Sequence, residues 1–296
     1  MSARDVIDSA VNFRRHLKLM RGHLWRLRGH MLPGALRAEA NRFLDEHQDD
    51  LVFVLGSGRS GTQLITRLLA AQQGVVAFHE PNFVEDVATM DDFRRKPEAA
   101  LDYWRLFRSV EVYRRWQAEP RARIYAEANG TIRYHQPAIA KLWPRSHQFL
   151  LTRNPRGYVR SLMGWKRFYS PGSKGAFGLE PIGDDPYRGR WSGMSRFEKV
   201  CWSWVETNAL LADRIPERNW LQLEKLVSDY AYCRERLFQP LALEFSEQAW
   251  AEQMQRPSAN SSRSYGFPHY SDWDAGQKSA FESICGPTMA RLGYSV

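Results

Sequence analysis

The apolar run LVFVL at 51–55 leads directly into GSGRSGTQ at 56–63 and then into LITRLLAA at 64–71. A short apolar run of β-formers reads as a buried strand. Leu64, Ile65, Leu68 and Leu69 share one face of a 3.6-residue repeat, so the third segment reads as a helix. Gly56, Gly58 and Gly61 let the chain turn tightly between them. Backbone N–H groups then point outward, and the helix dipole favours an anion there. A turn of this kind can also be purely structural. What it constrains is the architecture: strand, turn and helix in this order belong to an α/β chain.

The rest of the sequence repeats the alternation. VVAF at 75–78 reads as a strand ending in His79-Glu80-Pro81, and 124–128 as another. FLLTR at 149–153 is a strand feeding the helix of NPRGYVRSLMGW, with Pro155 in a tolerated first-turn position. WLQL at 220–223 reads as a further strand. Residues 83–123 read as helical, with Tyr103, Trp104, Tyr113 and Trp116 set among many arginines. Strands alternating with helices predict an α/β fold with a central parallel sheet flanked by helices. The stretch 170–195 holds six glycines and three prolines and reads as a long loop, of the kind that serves as a lid or stays disordered. The expected division is a basic helical extension over 1–50 and a single domain over 51–296.

Charge narrows the partners without naming one. The net charge is +9 and the pI near 9.6, which attracts polyanions: nucleic acid, an anionic membrane or a highly charged nucleotide. Cys201, Cys233 and Cys285 stand far apart, with no CxxC pair and no zinc spacing, so buried thiols in a reducing compartment are expected. No apolar run approaches the roughly 20 residues of a membrane-spanning helix. The N-terminus lacks the apolar core of a secretory signal. A cytoplasmic, soluble protein without a metal site is the expectation.

The glycine turn departs from the nucleotide-triphosphate pattern GxxxxGK[ST]. Gly56 and Gly61 have that spacing, but Thr62 and Gln63 stand where lysine and a magnesium-binding hydroxyl would be. The cation lies inside the turn instead, at Arg59, and arginine can grip phosphate oxygens in a fork. A second basic element follows about 90 residues on. Arg153 closes a strand, and Ser161 lies about two helical turns further, able to offer its hydroxyl to the same anion. Arg156 and Arg160 add positive potential.

These segments carry a family resemblance. GSGRSGTQL resembles the 5'-phosphosulfate loop of the sulfotransferase superfamily, in the variant with arginine where the cytosolic enzymes have lysine. Arg59-Ser60-Gly61-Thr62 match that motif, and Gln63 departs from the commoner hydroxyl residue. LLTRNPRGYVRSLMGW at 150–165 resembles the family's 3'-phosphate element. WLQLEKLVSD at 220–229 resembles its strand and acidic turn, FESICGPTMARLGY at 281–294 its closing helix, and SSRSYGFPHYSDW the loop over the nucleotide, which makes Ser262 and Arg263 further candidates. The similarity spans roughly 50–294. It implies a P-loop-like sulfotransferase fold, the donor 3'-phosphoadenosine-5'-phosphosulfate (PAPS) with PAP as product, and donor contacts from Gly58, Arg59, Ser60, Gly61, Thr62, Gln63, Arg153, Ser161, Ser262 and Arg263. No metal is required by that chemistry.

An acceptor hydroxyl must lose its proton, and a carboxylate or histidine can take it. Glu80 ends a strand at the same carboxyl edge as the turn, and FHEP resembles the segment carrying a glutamate base in tyrosylprotein and carbohydrate sulfotransferases. Glu80 and Arg59 are therefore the catalytic candidates, with His135 and Glu127 as rival bases. His79 is expected to point to the opposite face. The resemblance favours a carbohydrate or lipid-linked hydroxyl as acceptor, over a phenolic small molecule or a peptide tyrosine. A P-loop kinase is disfavoured by the missing lysine, and a nucleic-acid-binding protein by the lack of a recognised signature. Leu17, Met20, Leu24, Leu27 and Met31 form one helical stripe amid basic residues. That stripe can pack on the core, on a second subunit of a homodimer, or on an anionic membrane.

Overall fold

The structure is a computed structural model describing residues 24–164, 169, 179–256 and 266–295. Five strands form one all-parallel sheet: β1 (Leu51–Gly56), β2 (Val75–His79), β3 (Ile124–Asn129), β4 (His147–Thr152) and β5 (Trp220–Gln222). Their order in space is β2-β3-β1-β4-β5. The α/β class expected from the alternation is the one found.

Period-two alternation on β1 builds the two cores. Leu51, Phe53 and Leu55 face a large aromatic cluster with Trp104, Trp143 and Trp204. Val52 and Val54 face a second cluster with Ile65, Leu68, Phe149 and Leu151. Both faces are buried, which is why the strand reads as an unbroken apolar run. At its end Gly56 pairs with Leu151, and a Cβ on Gly56 would stand 2.4 Å from the Leu151 carbonyl oxygen. Only glycine lets the two strands close here.

The helices are α1 (Trp25–Met31), α2 (Gly34–Glu46), α3 (Thr62–Ala70), α4 (Phe83–Arg95), α5 (Ala99–Tyr103), α6 (Ser109–Gln117), α7 (Gln136–Leu142), α8 (Pro155–Met163), α9 (Arg196–Ala212), α10 (Leu223–Ser228), α11 (Tyr230–Cys233), α12 (Glu247–Gln255) and α13 (Ala275–Arg291). Local chemistry sets several boundaries. Asn154 caps α8 by accepting from the Arg156 N–H, with Pro155 in the first turn. Ser195 and Glu198 form a capping box that starts α9.

The stretch 83–123 is helical, as the sequence suggests, but not continuous. Pro97 disfavours the α conformation at Lys96, whose φ of −136° ends α4. A π-helical segment, Trp104–Arg108, then joins α5 to α6 and carries the Arg108 side chain into the interior. In the 170–195 stretch, residues 179–195 include a 3₁₀ turn at Arg188–Gly193, while 170–178 lie outside the described residues. Of the N-terminal stripe, Leu17 and Met20 also lie outside them, while Leu24, Leu27 and Met31 are described. Those three side chains are exposed, whereas Trp25 and Leu44, from the same expected extension, join the aromatic core. Among the described residues no helix is long and apolar enough to cross a membrane.

Candidate active site

A cavity of about 1230 Å³ opens at the carboxyl edge of the sheet. Each strand contributes residues that follow it: Ser57, Gly58, Arg59, Gly61, Thr62 and Gln63 after β1, Glu80 and Phe83 after β2, Gly130, Thr131 and Arg133 after β3, Arg153 and Arg160 after β4, Leu223 and Val227 after β5. Parallel α/β sheets put ligand crevices at this edge.

The β1 turn is held from within. Gly61 takes φ 99°, and a Cβ there would meet Leu223 Cδ1 at 2.5 Å. Ser57 and Ser60 bond hydroxyl to hydroxyl at 2.6 Å, and Ser60 is fully buried, so its side chain braces the turn. Gly130 packs against the turn, where a Cβ would stand 3.0 Å from Gly58 N. Thr62 Oγ1 lies 2.9 Å from His79 Nε2, tying α3 to β2.

Two motifs far apart in sequence meet here. Arg59 Nε donates to Ser161 Oγ at 3.0 Å, and Arg153 Nη1 donates to the Arg59 carbonyl oxygen at 3.0 Å. Gly157 makes room for the Arg153 guanidinium, since a Cβ there would approach its Nε to 3.2 Å. Ser161 is fully buried behind Arg59 rather than facing the cavity. Arg160 lines the cavity, whereas Arg156 turns away, donates to the Ser295 carbonyl and stacks on Tyr270.

Backbone strain gathers at the same place. Four non-glycine residues have positive φ among the described residues: Arg59 (74°), Glu80 (45°), Tyr169 (53°) and Ala242 (50°). Three of them line the cavity. Such conformations cost of order 1–3 kcal/mol each and persist where surrounding structure enforces them, characteristically at functional sites. The left-handed turn at Glu80 also breaks the strand alternation. His79 and Glu80, expected on opposite faces, therefore both line the cavity.

The three candidate bases have different surroundings. Glu80 lines the cavity and accepts from the Gly130 N–H at 3.3 Å. Burial raises its pKa, the Gly130 N–H lowers it, nearby Glu127 raises it, and Arg133 lowers it, with a net upward shift. Glu127 is fully buried, bonded by Arg108 Nη2 at 2.6 Å and by Tyr125 and Asn129. His135 is fully buried within a cage of Phe93, Tyr103 and Trp104, and neither ring nitrogen has a hydrogen-bond partner. Burial and the Arg108 charge push its pKa well down. Glu127 and His135 thus sit behind the wall that Glu80 stands in front of.

The lining is electropositive: Arg59, Arg67, Arg133, Arg153, Arg160 and Arg256 against Glu80 and Glu206. Glu206 is itself neutralised, accepting from Tyr134 OH at 2.7 Å and Arg94 Nε at 3.1 Å. Arg133 and Glu206 are additions to the residues read from the sequence. Arg133 could have been found, because it follows β3 at the carboxyl edge. Glu206 sits in mid-helix on α9, where no local pattern marks it. Gly58, Arg59, Gly61, Thr62, Gln63, Arg153 and Glu80 line the cavity, while Ser262 and Arg263 lie outside the described residues.

No protein-family model matches the chain, and no curated protein does. Among solved structures, it is similar to the sulfotransferase STF9 from Mycobacterium avium, over 87% of this chain and 82% of that one, at 12% identity and a TM-score of 0.48. A likeness that remote assigns no residue a role.

Proposed function

We propose that this chain is a PAPS-dependent sulfotransferase that moves a sulfuryl group onto an acceptor hydroxyl, of a carbohydrate or glycolipid. One observation carries the reading: the Arg59 turn and the Arg153–Ser161 element join through direct hydrogen bonds into one basic cradle. PAPS bears its 5'-phosphosulfate and its 3'-phosphate on one ribose, so elements that grip the two must stand within a nucleotide's width. An arginine inside the turn, with threonine and glutamine in place of the lysine and hydroxyl of an ATP-magnesium site, favours this donor over a nucleoside triphosphate. The cradle residues fit the donor: N–H groups at a helix N-terminus and two guanidinium groups, on a turn that Gly130 lets pack closely against the end of β3.

The residues divide the work. The turn and Arg59 hold the bridge between phosphate and sulfuryl group, where charge grows as the S–O bond to the 5'-phosphate breaks. Arg153 pairs with the 3'-phosphate, and Ser161 aims Arg59. Glu80 takes the proton of the acceptor hydroxyl as its oxygen forms the new bond to sulfur. The transition state is loose, so fixed positions and fixed charges matter more than a strong nucleophile.

Thermal unfolding with PAP, or with ATP and magnesium, tests the donor. A ligand that binds only the native state raises the melting temperature. PAP is expected to give the larger rise, and an equal response to both would remove the assignment. Labelled PAPS with a panel of sugar, glycolipid and phenolic acceptors then fixes the acceptor class.

A further inference from the structure

Asn129, the last residue of β3, engages its whole amide inside the protein. Its Nδ2 donates to Asp86 Oδ2 at 3.1 Å and to Glu127 Oε1 at 2.8 Å. Its Oδ1 accepts from the Thr131 N–H and from Thr131 Oγ1, both at 2.7 Å. Two donor hydrogens and two lone pairs are all that an asparagine side chain has. The reverse orientation would set its oxygen against two carboxylates. Asn129, Asp86 and Glu127 are all fully buried. The two carboxylates are fixed in turn: Glu127 accepts from Arg108 Nη2 at 2.6 Å, and Asp86 accepts from Tyr103 OH at 2.7 Å. The π-helical segment that brings Arg108 inward is of a kind that recurs at functional sites. A satisfied buried polar group of this sort holds one arrangement rigidly.

What Asn129 holds is the backbone around Glu80. Glu80 follows β2, an edge strand that pairs with β3, so firm support has to come from the β3 side. The Glu80 N–H donates to the Ala128 carbonyl oxygen at 3.3 Å, and Glu80 Oε1 accepts from the Gly130 N–H at 3.3 Å. Ala128 and Gly130 are the two neighbours of Asn129. The bond from the Thr131 N–H to Asn129 Oδ1 closes an Asx-turn, which sets the direction of the Gly130 peptide between them. Arg133 Nη1 takes the other end of that residue, donating to the Gly130 carbonyl oxygen at 2.7 Å. Glu80 itself has a φ of 45°, a strained conformation that persists only where its surroundings enforce it.

We propose that Asn129 is a positioning residue for Glu80: its buried amide fixes the 128–130 backbone that keeps Glu80 in its left-handed turn and its carboxyl at the cavity. The placement stands without the proposed reaction. That it serves proton transfer rests on the reading of Glu80 as the base.

The test reads Glu80 directly. Carboxyl carbon-13 shifts of glutamate-labelled protein, with the Glu80 signal assigned from Glu80→Gln, follow its titration without substrate. Burial and the Glu127 charge raise the Glu80 pKa, and the Gly130 N–H and the Arg133 charge lower it. Loosening the turn weakens the Gly130 bond, so Glu80 in Asn129→Ala should titrate at higher pH than in the parent. The rising limb of kcat/KM should move with it, and kcat at neutral pH should fall by about tenfold with acceptor KM little changed, because the base is misplaced and not absent. Thr131→Val removes the hydroxyl donor while sparing the two carboxylates, and it decides the matter if Asn129→Ala does not fold. It should shift Glu80 in the same direction, and Thr131→Ser should titrate like the parent. A parent-like titration in folded Asn129→Ala, or in Thr131→Val where the first does not fold, overturns the proposal. So does a serine variant shifted as far as the valine one, which would tie the effect to shape alone. A moved titration with unmoved kinetics supports the placement and counts against Glu80 as the base.

Discussion

Arg59 and Ser161 are 102 positions apart in the chain, yet the Arg59 side chain donates directly to the Ser161 hydroxyl. The arginine therefore does not swing freely over the glycine turn. It is aimed by α8, the helix that begins after β4, while Arg153 from the start of the same element grips its carbonyl oxygen. The two basic elements position one another before any ligand arrives, which lowers the ordering cost of binding.

Ser161→Ala removes the tether without changing any charge. A hydrogen bond to a charged group contributes about 1.5–3 kcal/mol, so PAP affinity should fall by about tenfold or more. Titration calorimetry reads this directly. Affinity equal to the parent would mean that Arg59 is held by other contacts.

Glu80 and Arg59 should separate by which half of the reaction they serve. Glu80→Gln keeps size and removes the base, so turnover should drop by a factor of about 10²–10⁴ with PAP affinity nearly intact. Arg59→Ala should lower both, because some of the charge it meets already exists in the bound donor. Parent-like turnover in Glu80→Gln would place the base elsewhere.

The pH profile carries its own signature. Burial holds the Glu80 carboxyl above the ordinary carboxylate range, so its base form appears only at higher pH. The rising limb of kcat/KM should accordingly lie above that range and vanish in Glu80→Gln. Stability moves the opposite way. A carboxyl with a raised folded pKa contributes stability that is complete below its unfolded pKa and lost as pH rises through the folded value. Glu80→Gln should therefore be at least as stable as the parent at neutral pH. Denaturant unfolding at acidic and neutral pH measures this, and a uniform loss at both would contradict it.

Glu127 and His135 should affect folding, each differently. Glu127→Gln leaves the fully buried Arg108 without its closest carboxylate, and breaking a buried pair typically costs about 3–5 kcal/mol. His135→Phe replaces a buried ring with two unpartnered nitrogens by an apolar one in an aromatic cage, and should be neutral or stabilising. Urea titration compares them. A stable Glu127→Gln would show that Arg108 finds adequate compensation in Asp86, whose carboxylate lies 3.6 Å from its Nε.

The glycine-turn side of the cavity was legible because it is local. Turn glycines, a strand-ending arginine and a serine two helical turns on are patterns of near neighbours, and the period-two and 3.6-residue repeats mark the elements that carry them. The rest of the lining was less legible because it is assembled from a distance. Arg133 reaches it from beyond β3 and Glu206 from the middle of α9, and only the folded chain brings them together. The joint placement of His79 and Glu80 was missed for another reason. Strand alternation was carried one residue too far, across a backbone that had already turned left-handed.

The sheet order has a consequence for how this protein can change. β1 lies at the centre, hydrogen-bonded on both sides and buried on both faces, whereas β2 is an edge strand with every residue partly exposed. Amide protons of β1 should exchange only when the whole domain opens, and those of β2 through smaller local openings. The glycine turn is thus fastened to the least yielding part of the molecule and Glu80 to one of the most yielding. Mutations can accumulate along the β2 edge, reshaping the cavity beside Glu80, while the turn that ends β1 stays intact.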